Sequence, residues 1–122
     1  MKAKTVLRFY FSVDRLNTAL DNLILAAACR VEGGTDGIID LIEKKCELSY
    51  LWEYVDGIVA SFDLEERATL EFYGCLRVGL DMLEPARGRE VKRVVTKFAR
   101  RARNISRFEK QMEILKSFWC LM

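Results

Sequence analysis

Between Leu41 and Phe62 the apolar residues Leu41, Leu48, Leu51, Val55, Ile58 and Phe62 fall on a three–four rhythm. That is the repeat of one face of an α-helix, and a stripe this long needs an antiparallel partner helix, from the same chain or a second copy. Turn punctuation is correspondingly scarce. One Pro and 7 Gly in 122 residues are too few for a sandwich or barrel built on frequent turns. An apolar share of 51% is enough to bury a core and too much for a disordered chain. The expectation is all-α, a single domain over residues 1–122, folded as a compact bundle of about five helices.

Thr5–Phe11 (TVLRFYF) is β-branched and aromatic, which predicts a short extended arm over residues 1–11. Ser12 then reads as an N-cap, with Asp14 in the first turn of a helix to about Arg30. Val13, Leu16, Leu20, Leu23, Ile24 and Ala27 form its apolar stripe. Gly33-Gly34 breaks it, and Thr35 or Asp36 caps the long helix to about Phe62. Residues 12–62 therefore carry two helices.

Asp63 with Glu66 is a capping-box-like pair opening a third helix, with Leu64, Ala68, Phe72, Cys75 or Leu76, and Leu80 along one face. Gly74 and Gly79 are positioned to divide it, and Pro85 and Gly88 to end it. A fourth helix follows from about Arg89. Ser106 and Glu109 form a capping box for a C-terminal helix over 107–119, striped by Phe108, Met112, Leu115 and Trp119.

Charge is divided unevenly. Residues 1–86 hold 9 Lys and Arg against 15 Asp and Glu, a balance of −6, while residues 87–122 hold 11 against 3, a balance of +8; together these give the net +2. Such asymmetry points to an anionic partner. On a helical wheel Val91, Val94, Val95, Phe98, Ala102 and Ile105 share one face. Arg89, Lys92, Arg93, Lys97, Arg100, Arg103 and Arg107 occupy the other. Like charges at i, i+3 and i+4 cost a few tenths of a kcal/mol per pair, so something has to offset them. Nucleic-acid phosphates are one answer. The acidic half of the chain, through Glu43, Glu47, Glu53, Glu65 or Glu66, is the other. No aromatic residue interleaves with the exposed cations, which favours duplex backbone contact over a base-stacking platform.

Residues 63–104 resemble the DNA-binding region 4 of sigma factors and their sigma-like phage relatives. Leu64-Glu65-Glu66-Arg67-Ala68-Thr69-Leu70-Glu71-Phe72-Tyr73-Gly74 is similar to the family's opening helix, and Arg89-Glu90-Val91-Lys92-Arg93-Val94-Val95 through Ala99-Arg100-Arg101-Ala102 to its basic recognition helix. The resemblance implies a helix-turn-helix-like unit over 63–107 in a transcription regulator, with Cys75–Leu83 as middle helix and Glu84–Gly88 as turn. It also implies that Arg89, Lys92 and Arg93 reach base edges while Lys97, Arg100 and Arg103 hold phosphates.

Catalytic chemistry finds little support. There is no His, which removes imidazole-based triads and general bases. The pairs Glu65/Glu66 and Asp81/Glu84 read as solvated faces or caps. Gly33-Gly34-Thr35-Asp36-Gly37 lacks the GxxxxGK[ST] phosphate-loop pattern. Cys29, Cys46, Cys75 and Cys120 include no CxxC pair, so neither a metal site nor a cofactor is expected, and the thiols read as small buried hydrophobes. Arg8 interrupts the apolar run Val6–Phe11, which leaves no secretory h-region, and no stretch near that end approaches the roughly 20 apolar residues of a membrane span. The reading is a cytoplasmic, non-enzymatic protein that binds nucleic acid. The alternative is a helical assembly protein, homodimeric for example, whose basic face meets acidic protein surface.

Overall fold

The computed structural model describes residues 3–29 and 36–118. Its first element corrects the expected arm: Ala3–Phe11 is a helix, α1, with Val6, Leu7 and Phe9 all fully buried. β-propensity is a weak local preference, and a segment that can bury three large side chains on neighbouring helices follows its packing instead. α1 leads almost directly into α2 (Val13–Ala28) through Ser12, whose side chain makes no capping bond; the Ser12 N–H donates to the carbonyls of Arg8 and Phe9 at 3.0 and 3.2 Å. The Gly33-Gly34 break and the Thr35 cap lie outside the described residues.

α3 spans Asp36–Val59 and buries Leu48, Leu51, Val55 and Val59. Phe62 is buried too, just beyond the helix end. Tyr10 ties α1 to α3. Its hydroxyl donates to Asp56 Oδ1 at 2.6 Å, its ring stacks on Trp52 at 5.3 Å, and its carbonyl accepts from Trp52 Nε1 at 3.3 Å. Burial, reinforced by the Asp56 carboxylate, pushes the Tyr10 phenol up to about 12.

Asp63 caps α4 (Leu64–Cys75) as expected: its carboxylate accepts the Glu66 N–H at 2.8 Å, which holds its pKa below the ordinary carboxylate value. The buried face of α4 differs from the expected stripe. Leu64 is 77% exposed, and Thr69, Leu70 and Gly74 are buried instead. The reason is Gly74, where a Cβ would stand 3.1 Å from the Leu7 carbonyl carbon and 3.2 Å from the Arg8 nitrogen. The absent side chain lets the α1 backbone settle directly on α4, which turns the Leu70–Gly74 face inward.

After Cys75 the chain makes a loop and one 3-10 turn, Leu80–Met82, where a middle helix over Cys75–Leu83 was expected. Pro85 then starts a helix rather than ending one. α5 runs Pro85–Arg101 with Pro85 in its first turn, and the Gly88 N–H donates to the Glu84 carbonyl at 2.9 Å. A fixed φ and a missing N–H cost nothing at that position. A 3-10 segment, Arg103–Phe108, follows, and α6 spans Glu109–Ser117. Phe108 occupies the N-cap position, so the Ser106 capping box does not form. Ile114 and Leu115 carry the buried side of α6, with Phe108 and Met112 half-buried; Trp119 lies outside the described residues.

The described residues form six α-helices and no strand. α1 sits at the centre, packed on α2, α3, α4 and α5, while α6 closes the far end against α3. No helix among the described residues is long and apolar enough to cross a membrane.

Candidate nucleic-acid interface

The periodicity of α5 sorts its residues cleanly. Val91, Val94 and Phe98 are buried within the helix, Ala102 and Ile105 are buried just beyond it, and Val95 is half-buried. The opposite side carries the cations. Arg89, Lys92, Arg93 and Arg100 are exposed on α5, and Arg103 and Arg107 are exposed on the 3-10 segment that follows. The last two therefore leave the helical wheel on which the sequence placed them. The regular part of the face, from Arg89 to Arg100, is about 16 Å long at 1.5 Å per residue.

One flank of this face is engaged by α4 and the turn before it. Lys97 donates to both Glu66 oxygens, at 2.9 and 3.2 Å, and Arg93 approaches the same carboxylate at 3.8 Å. Glu66 is only 12% exposed, so this is a shielded pair with Lys97, whereas Arg93 remains 64% exposed. Arg101, which the sequence-based set lacked, donates to the Ser61 carbonyl and hydroxyl at 3.2 and 2.7 Å and lies 4.4 Å from the Phe62 ring centroid. Arg87 covers the Phe72 ring at 4.8 Å and pairs with Glu90 at 3.3 Å. These contacts fix the rotation of α5 on α4.

The other flank is open. Arg89, Lys92, Arg100, Arg103 and Arg107 have no ion-pair partner among the described residues. Of the five glutamates named as intramolecular counter-charges, Glu66 alone reaches α5. Glu47 instead pairs with Lys110 at 3.3 Å and accepts from Gln111 at 2.8 Å, joining α3 to α6.

The cysteines correct another expectation. Cys29, Cys46 and Cys75 are free and exposed rather than buried, at the end of α2, on the outer side of α3 and at the end of α4. Cys120 lies outside the described residues. No group of three or more His, Cys, Asp or Glu residues among the described residues is arranged to hold a metal ion.

No family model, curated protein or solved structure matches this chain.

Proposed function

We propose that the chain is a nucleic-acid-binding protein that grips duplex DNA through the phosphate backbone, using the open flank of α5 and the 3-10 segment after it. The observation that carries this reading is that five cations, Arg89, Lys92, Arg100, Arg103 and Arg107, stand exposed without a counter-charge among the described residues. Each phosphate they neutralise releases condensed counterions, which offsets the repulsion along the face. Arg93 adds to the set when it leaves Glu66. A sigma-like regulator reading base edges is the more specific form of this proposal. The 3-10 turn between α4 and α5 supplies little of the helix-turn-helix frame that such reading uses, so backbone contact is the form we adopt.

The test is fluorescence anisotropy of a labelled mixed-sequence duplex at several salt concentrations. Five phosphate contacts give a log–log salt slope of about −4 to −5. Arg100→Glu with Arg103→Glu should flatten it by about 2. Absence of binding at about 50 mM salt, where attraction is strongest, would sink the proposal.

A second reading, self-assembly without catalysis, is favoured by the outer side of α3. Ile39, Ile42 and Tyr50 are 50%, 46% and 57% exposed and share one face at helical spacing, opposite Leu48, Leu51 and Val55. Sedimentation velocity over a concentration series, with Ile42→Lys as the comparison, separates the two readings. A dimer that Ile42→Lys dissolves, combined with absent DNA binding, would favour assembly.

A further inference from the structure

A second cationic feature lies away from α5. Where α1 meets the end of α4, an open cleft of about 570 Å³ is lined by Lys4 and Arg8 of α1, Ser12 at the α1–α2 junction, Arg15 of α2, and Cys75 and Arg77 at the end of α4. Among the described residues the lining holds four cations and no carboxylate. Lys4 and Arg8 stand one helical turn apart on the same side of α1. Lys4, Arg15 and Arg77 have no ion-pair partner among the described residues, and Lys4 Nζ lies 6.0 Å from the Tyr73 ring centroid. The close α1–α4 approach at Gly74, which also lines the cleft, holds its two walls together.

The magnitudes favour an anion. The carboxyl end of α4 contributes a partial negative charge of about half an elementary unit, against the three full positive charges of Lys4, Arg15 and Arg77. Part of that partial charge is already answered, because the Leu76 N–H donates to the Tyr73 carbonyl at 3.2 Å. The volume falls within the range of small-molecule sites, roughly 300–1,000 Å³. Among the described residues no aromatic ring lines the cleft and Leu76 is its one large apolar side chain, so they offer no platform for a base or other flat ring. Guanidinium groups are suited to oxyanions bearing several oxygens, and the Ser12 hydroxyl adds a neutral donor.

We propose that this cleft is a binding site for a small, multiply charged phosphate-class oxyanion, recognised by charge and oxygen geometry. It shares no residue with the α5 face, so it stands or falls separately from the proposed nucleic-acid contact.

Cys75 provides a local readout, because it is exposed and lines the cleft, while Cys46 is exposed on α3 and does not. The protein would be treated with iodoacetamide in the presence of increasing sodium tripolyphosphate, and modification of each thiol followed by peptide mass spectrometry. A bound anion covers the Cys75 thiol and places negative charge beside it, both of which slow its alkylation. The expected result is a saturable slowing at Cys75 with the Cys46 rate unchanged. Protection should be lost in Arg15→Gln/Arg77→Gln, both exposed positions, and kept in Arg100→Glu/Arg103→Glu. Circular dichroism checks that each variant retains its helices. Equal slowing at Cys75 and Cys46, no slowing at either, or protection lost only in the α5 variant would overturn the proposal.

Discussion

Lys97 donates to both carboxylate oxygens of Glu66, and that bond takes Lys97 out of the open part of the α5 basic face. Glu66 also approaches Arg93, so one acidic side chain on α4 holds down the adjacent flank of the basic face. Glu66→Gln should therefore act in opposite directions on stability and on binding. Replacing the ion pair of the half-buried Lys97 by a hydrogen bond to a neutral amide costs about 0.2–1 kcal/mol, read as a lower urea midpoint. On the proposed duplex contact, releasing Lys97 and Arg93 should steepen the salt slope by up to about 2, read by anisotropy. A variant that loses stability without gaining slope would show that the freed cations do not reach the duplex.

Phe9→Ala distinguishes the buried helix α1 from a loose arm. Phe9 is fully buried, so truncation should cost about 3–5 kcal/mol in chemical denaturation. An exposed arm would register a change within about 0.5 kcal/mol.

Gly74→Ala places a methyl group against the Leu7 and Arg8 backbone, at contact distances of 3.1 and 3.2 Å. Backbone yields less readily than a side-chain tip, so the overpacking cost of about 1–3 kcal/mol should outweigh the roughly 1 kcal/mol that Ala gains over Gly in a helix. A net loss in urea midpoint is expected, although Ala is the better helix former. A net gain would mean that α1 and α4 can separate freely.

Alkaline pH should weaken the fold through Tyr10. Its phenol titrates at about 12 when folded against an ordinary value of 10.0, so the folded state holds the proton more tightly. Stability from this group is fully present below pH 10 and is lost as pH rises towards about 12. Tyr10→Phe should start lower at neutral pH, by about 1 kcal/mol for the lost hydroxyl bond to Asp56, and lack that part of the alkaline decline. Urea midpoints across the alkaline range, wild type against variant, provide the comparison.

The elements that were legible in the sequence owe it to strict periodicity. α5 was readable because Val91, Val94 and Phe98 return at helical spacing with cations between them, and the α4 cap because Asp63 and Glu66 stand three apart. α1 was not, since its β-branched and aromatic residues favour a strand locally and only burial among four other helices makes them a helix. Pro85 ends one helix or starts another depending on which side the helix lies, and residue identity alone does not decide it. The buried face of α4 was missed because its closest contact is made by an absent side chain, at Gly74. On the α5 face the wheel separated apolar from cationic residues, but which cations were engaged depended on Glu66 and Ser61 across the packing. Lys4, Arg15 and Arg77 come together from three elements, and no local pattern in the chain brings them into one cleft.

The central position of α1 has a consequence for the order of assembly. Its partners α4 and α5 begin at Leu64 and Pro85, so most of the chain must be in place before Val6, Leu7 and Phe9 can be enclosed. Closing so long a loop adds only slowly to the entropic cost, but the enclosing contacts cannot form until the distant helices exist. α1 thus precedes in sequence every helix that sheathes it, and until they arrive it is a greasy, positively charged peptide that the rest of the molecule must capture.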